Sequence, residues 1–157
     1  MARLLAKGTK HRSAYEIADA MESVGGSINA FCSLDSLGME TLTVDADWRL
    51  AMEVLSECLF EPAFSRDEFE KEKLLVQAEI RREEDEKFAF AYKHFQRALY
   101  KGHPYEAEPE GEVDSVERLT REHLAALHEA VVQPSRMLLV VVGNVPDDDL
   151  IAEMEKR

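Results

Sequence analysis

The first third of the chain changes from a helical to a two-residue hydrophobic period. Ser13 and Glu16 stand three apart as a capping box does, which predicts a helix that begins at Ser13 and ends at Gly25-Gly26. From Ser27 the period is two, with Ile28, Ala30 and Cys32 on one face. After a turn, the Thr-rich and aliphatic stretch from Met39 to Val44 predicts an antiparallel return strand. The pattern therefore indicates a helix followed by a β-hairpin.

The middle of the chain has a helical period throughout. Asp47 is predicted to cap a helix that ends before Pro62, and a long charged helix is predicted within residues 66–84. A third helix is predicted from near Lys87 to just before Gly102. The positions predicted to face inward on these three helices are Trp48, Ala51, Met52, Leu55, Cys58 and Leu59; Phe69, Lys73, Val76 and Ile80; and Phe88, Ala91, Phe95, Ala98 and Leu99.

The last third begins with residues 106–117, an acidic stretch without a basic residue, which predicts a solvated loop. Thr120 is predicted to cap a helix, and a final helix begins at Asp147. The continuous apolar run from Met137 to Gly143 predicts a strand covered on both faces. This order predicts an α+β fold with a mainly antiparallel sheet covered by several helices. Because the buried strand needs neighbours, we expect a single, incomplete domain over residues 1–157, whose first strands would precede Met1.

Composition narrows the possible partners. The formal charge of −13 has the wrong sign for a nucleic-acid or anionic-membrane surface. No apolar run approaches the roughly 18 residues of a membrane span, and no signal-peptide apolar stretch is present near the N-terminus. We therefore expect a soluble chain without nucleic-acid or membrane partners.

Few side chains have a spacing along the sequence that suggests a catalytic or metal-binding site. Cys32 and Cys58 lack metal-binding spacing and are expected to be small buried hydrophobes. His123 and His128 are separated by about 140° around a helix and do not converge. Glu72 and Glu79 share a face of the long helix. They could bind a metal, act as acid and base, or simply form a solvated face.

Six phrases in one order resemble the pitrilysin/insulinase family of inverted zinc metallopeptidases, which includes mitochondrial processing peptidase. They are AKGTKHRSAYEIADAMESVGGSINAFCS, LFEPAFSRDEFEKEK, AEIRREED, YKGHPY, VERLTREHLAALHE and MLLVVVGNV. The resemblance covers nearly the whole chain. It implies an α+β module used in pairs, in which two modules enclose a chamber where peptides are cleaved.

The resemblance also assigns positions to the family's zinc site. In active members an H-x-x-E-H helix leads into the K-G-T segment, with two His as zinc ligands and the Glu as general base. In this chain Arg3 stands at the second His and Ala2 at the general base, while the first His would precede Met1. Glu79 matches the third zinc ligand, and Glu72 matches a supporting carboxylate. A catalytic zinc needs three protein ligands, so the resemblance implies no catalytic, cofactor-binding or metal-binding residue in this chain.

These assignments imply a non-catalytic module of a zinc peptidase. It would pack against a catalytic module, which holds the zinc, in the same or another chain. It would also present a sheet edge and helix surface to an extended peptide. Unpaired strand edges would favour a homodimer of the isolated chain. Two alternatives stay open: a truncated catalytic module whose His ligands lie outside the chain, and an acidic interaction domain unrelated to proteolysis.

Overall fold

A computed structural model describes residues 1–156 and combines helices with one β-hairpin. This confirms the α+β class. Short 3₁₀ turns at 45–47, 104–106 and 134–136 join some of the elements. The helices are α1 Ala2–Leu5, α2 Ala14–Glu22, α3 Trp48–Phe60, α4 Arg66–Asp85, α5 Lys87–Leu99, α6 Val113–Glu117, α7 Arg121–Val131 and α8 Asp147–Met154, and the strands are β1 Ser27–Cys32 and β2 Leu37–Leu42.

Local capping sets several of the helix starts. The Ser13–Glu16 capping box is present at α2, and the Thr120 hydroxyl accepts a hydrogen bond from the His123 N–H at α7. Asp47 precedes α3, but its side chain makes no cap hydrogen bond. Most of the sequence-predicted helices are thus confirmed at their starts, where a short-range hydrogen bond fixes the first turn.

The hairpin is a two-stranded antiparallel sheet in which Ser27 pairs with Leu42 and Cys32 with Leu37. Its second strand begins two residues earlier than predicted. Within residues 1–156 the outer edges of β1 and β2 have no strand neighbour. Phe31, which breaks the alternation of β1, covers Gly38, where a Cβ atom would lie 2.5 Å from Phe31 Cζ.

Two adjoining apolar clusters form the core. The first joins α1 to α4 and α7, and the second joins α2 to α3 beneath the hairpin. On α3, Val54 and Cys58 are fully buried, whereas the predicted Leu55 is only half-buried. The members are Leu4, Leu5, Phe64, Phe69 and Leu124 in the first cluster, and Ile17, Met21, Ala51, Val54 and Cys58 in the second.

The predicted inward face of α5 is exposed, and that prediction is wrong. No residue of α5 is buried, and Phe88, Phe95 and Leu99 are among the exposed large hydrophobic residues. Hydrophobic periodicity shows which face of a helix is apolar, but not whether another element covers that face. Within the described residues, α5 contacts α4 and the 104–106 turn.

The run from Met137 to Gly143 is not a strand, which corrects the prediction of a buried one. Leu138 and Val142 are 88% and 93% exposed. A strand requires hydrogen-bond partners on a neighbouring strand, and none pairs with this run within residues 1–156.

The acidic stretch 106–117 is not entirely a loop, because its end forms α6. The Ser115 hydroxyl accepts a hydrogen bond from the Glu112 N–H there, and Val116 is buried where α6 contacts α4. Along residues 1–156, no helix has both the length and the apolar character needed to cross a bilayer.

Candidate functional site

The KGTKHRS segment forms a tight loop directly after α1. Gly8 has φ +121°, a backbone conformation that favours glycine. The Thr9 hydroxyl accepts hydrogen bonds from the His11 and Arg12 N–H groups at 3.1 and 2.9 Å. Backbone hydrogen bonds also join Lys10 N–H to the Glu61 carbonyl and Ala63 N–H to the Gly8 carbonyl. The loop therefore fixes the end of α1 against the chain that follows α3.

Arg12 anchors the same loop to α3. Its guanidinium lies between the carboxylates of Glu53 and Glu57 and donates a hydrogen bond to each. These hydrogen bonds raise the Arg12 pKa above its ordinary value. Sequence reasoning missed this contact, although the i, i+4 spacing of the two glutamates was a signal that one cation could bridge them.

Arg3 and Glu79 form a forked ion pair between α1 and α4. Arg3 Nη1 donates to Glu79 Oε1 at 3.0 Å, and Nη2 donates to Oε2 at 2.6 Å. This hydrogen bonding lowers the Glu79 pKa and raises the Arg3 pKa. Two turns earlier on α4, Glu72 Oε1 lies 3.9 Å from Lys7 Nζ. The structure thus brings both sequence-predicted glutamates of α4 opposite cations of the N-terminal segment.

The residues at this place do not fit a zinc ion. The Arg3 guanidinium occupies both carboxylate oxygens of Glu79, and the Ala2 side chain has no ligand atom. Among residues 1–156 no group of three or more His, Cys, Asp or Glu side chains could hold a metal. A permanent guanidinium charge also opposes a second cation nearby.

The histidines have partners other than Glu72 and Glu79. His11 lies beside Glu61, and His123 Nδ1 accepts from the Thr120 N–H. His128 Nε2 lies 2.7 Å from the Leu59 carbonyl oxygen and packs edge-on against Phe64. His11 thus contacts a carboxylate, His123 takes part in a helix cap, and His128 packs between elements.

An open groove of about 600 Å³ lies beside the Arg3–Glu79 pair. One wall is α2, and the other includes the unpaired edge of β1. Its lining includes apolar side chains such as Ile17 and Ile28, with Arg3, Lys7 and Glu72 also present. A concave apolar surface beside free backbone groups can accept an extended chain.

The two cysteines differ in environment. Cys58 is fully buried in the core, and burial raises the pKa of its thiol to about 11. Cys32 is exposed at the end of β1, which corrects the prediction that it is buried.

A tyrosine hydroxyl ties the hairpin tip to the turn after α5. Tyr105 Oη donates to the Asp35 carboxylate, with distances of 2.7 and 2.8 Å to its two oxygens. The hydrogen bond to Asp35 raises the Tyr105 pKa. This contact joins residues far apart in sequence, and no local pattern indicated it.

Comparison with known proteins places these features in a family. Residues 1–112 match the insulinase model of peptidase family M16, and residues 118–157 match the peptidase M16 inactive-domain model. An uncharacterized zinc protease of Mycobacterium leprae (strain TN) is 32% identical over 149 residues, covering 95% of this chain and 34% of the relative. The uncharacterized zinc protease YmxG of Bacillus subtilis (strain 168) is 29% identical over 150 residues, covering 96% and 36% respectively.

Solved structures share the fold. A protease from Helicobacter pylori superposes with a TM-score of 0.85 at 25% identity, over 99% of this chain and 38% of that one. A peptidase M16 inactive domain from Pseudomonas fluorescens gives a TM-score of 0.75 at 21% identity, over 81% and 31% of the two chains.

The chain spans about a third of the length of the curated relatives it matches. The family match confirms the resemblance drawn from the six phrases, and it removes the basis for an acidic interaction domain unrelated to peptidases. The chain belongs to the insulinase family of M16 peptidases.

Proposed function

We propose that this chain is a non-catalytic module of an M16 zinc peptidase, which packs against a catalytic module and helps to enclose its peptide-cleavage chamber. The Arg3–Glu79 ion pair carries the proposal, because it puts a cationic side chain where the family resemblance implies a metal ligand. Residues 1–157 then belong to a single module. The zinc, its ligands and the general base belong to the catalytic module, in the same polypeptide or another.

The chemistry of hydrolysis supports this division of roles. A zinc peptidase needs three protein ligands with an open position for water, and a base that takes the proton of that water. Glu79 alone could serve as a ligand, and Ala2 cannot act as a base. Both carboxylate oxygens of Glu79 accept a hydrogen bond from Arg3, and the Arg3 guanidinium is itself a donor that cannot bind a metal.

The peptide role rests on the groove beside β1. An extended peptide that adds to the free edge of β1 would form main-chain hydrogen bonds there, and its side chains would contact α2 across the groove. Peptide contacts would therefore lie on the non-catalytic module even though cleavage takes place elsewhere.

Zinc content is the direct test of the non-catalytic role. The wild-type chain and Glu79→Gln are equilibrated with zinc, dialysed extensively and analysed for metal, and both are assayed for cleavage of unstructured peptides. We expect no stoichiometric zinc and no cleavage in either. Stoichiometric zinc that disappears in Glu79→Gln would contradict the proposal and favour the truncated catalytic module, with Glu79 as a genuine ligand.

Peptide binding is tested separately by backbone amide chemical shifts during titration with a panel of extended, unstructured peptides. We expect shifts over residues 27–32, and we expect Ala18→Arg to weaken them because Ala18 lines the groove. Tyr15→Arg adds the same charge to the same helix at a position that does not line the groove, and should have no effect. Equal effects of the two variants would contradict binding in the groove.

A further inference from the structure

The exposed face of α5 is a stripe of four large apolar side chains. Phe88, Tyr92, Phe95 and Leu99 are 76%, 56%, 60% and 60% exposed. They follow one another at steps of four, three and four residues, so they lie along one side of the helix. Phe88 and Tyr92 stack with ring centroids 6.5 Å apart, and Tyr92 and Phe95 are 6.4 Å apart. Soluble proteins seldom leave such a contiguous stripe without a partner.

The stripe is symmetric about its centre. If a second α5 packs against it in the opposite direction, Phe88 faces Leu99 of the partner copy and Tyr92 faces Phe95 of the partner copy. Ala91 and Ala98 lie beside the stripe and leave room for the large side chains of the other helix. An antiparallel pair related by a twofold axis uses the same surface on both copies, as a closed dimer requires.

The charges around α5 also favour antiparallel packing of two copies of this helix. The four residues before the helix, 83–86, are all acidic, whereas residues 87–101 contain four basic residues and no acidic one. Antiparallel packing places Lys101 of one copy beside the acidic 83–86 segment of the other. Lys93 and Arg97 project from the side of the helix opposite the stripe, so these like charges do not meet across the pair.

We infer that the partner of this face is a second copy of the chain, with two α5 helices packed antiparallel about a twofold axis. The interface is distinct from the groove beside β1 and from the Arg3–Glu79 pair. The inference therefore goes beyond the proposed function and does not depend on it.

Sedimentation equilibrium over a range of protein concentrations tests the dimer. We expect a reversible monomer–dimer equilibrium that Phe95→Glu weakens by more than about tenfold, because a buried seam residue becomes charged. Leu138→Glu is the matched control: Leu138 is 88% exposed, is apolar and lies outside α5. Circular dichroism should show both variants folded. A wild-type chain that stays monomeric at every concentration overturns the inference, and so does a dimer lost in Leu138→Glu but kept in Phe95→Glu.

Cross-linking tests the direction of the helices. In a Cys32→Ser background, Phe88→Cys and Leu99→Cys chains are prepared separately and oxidised alone or after mixing. Antiparallel packing predicts a disulfide-linked dimer that forms mainly in the mixture. Efficient cross-linking of Phe88→Cys with itself would mean a parallel arrangement and would overturn the inference.

Discussion

Arg3 and Glu79 are 76 positions apart in the chain, yet the guanidinium of one donates two hydrogen bonds to the carboxylate of the other. The pair joins α1 to α4 beside the groove. Both side chains are partly exposed, at 46% and 39%, so solvent weakens their attraction.

A double-mutant cycle with Arg3→Ala and Glu79→Ala should give a coupling free energy of up to about 1 kcal/mol at neutral pH. The Glu79 pKa is lowered from its ordinary 4.5 in the folded chain. The stabilisation is therefore complete above that value and is lost as pH falls through the lower folded pKa. Urea unfolding of the variants at pH 7 and at pH 3 measures the coupling free energy under each condition. A coupling that does not shrink at pH 3 would contradict this assignment.

Replacing Arg12 should cost more than replacing an exposed arginine. Arg12→Ala leaves Glu57, whose side chain is only 14% exposed, without its cation, and we expect a loss of about 1–3 kcal/mol in the free energy of unfolding. Arg49→Ala removes the exposed pair with Asp149 and should change stability by less than about 1 kcal/mol. Equal losses in urea unfolding would argue against an anchoring role for Arg12.

Two phenylalanines on consecutive helices should respond differently to truncation. Phe69 is buried in the core, so Phe69→Ala should cost about 3–5 kcal/mol of unfolding free energy. Phe88→Ala should change the stability of the monomer by about 0.5 kcal/mol or less, because the side chain is exposed. The comparison is made at low concentration, where self-association does not contribute. A large loss in Phe88→Ala would mean that α5 is covered.

The two thiols should differ in reactivity. The pKa of Cys58 is raised to about 11 by burial, so at pH 8 this thiol is protonated as well as inaccessible. Cys32 is exposed. Alkylation of the native chain followed by peptide mass analysis should modify Cys32 alone, and denaturant should make both react. Rapid native modification of Cys58 would contradict the described core.

Ionisation of Tyr105 should respond to Asp35. The carboxylate raises the Tyr105 pKa above its ordinary 10.0 by accepting the phenolic hydrogen bond. In an ultraviolet titration, Asp35→Asn should move one of the four tyrosines towards lower pH. The stabilisation that this bond provides is present below pH 10 and is lost as pH rises through the folded pKa. Leu34→Ala, a neighbouring change at the exposed hairpin tip, should leave the titration unchanged.

The sequence by itself determined the elements whose cause is local. The Ser13–Glu16 capping box starts α2, and the two-residue period of residues 27–32 becomes β1. The family was also readable, because its six phrases follow in order along the chain. Hydrogen bonds within one turn and alternation along one strand act over a few residues, so a linear pattern records them.

The tertiary structure alone decided which of those elements are covered and which side chains meet. The apolar run 137–143 and the apolar face of residues 88–99 have the patterns of buried segments, but burial requires a second surface, and both are largely exposed in the described part of the chain. The sequence marked Arg3 only as a departure from a family motif and Glu79 only as a match to it, and the packing of α1 on α4 brings them into contact. Such contacts depend on how distant elements pack. Burial of apolar surface drives this packing, and the residues that share the buried surface have no fixed spacing along the sequence.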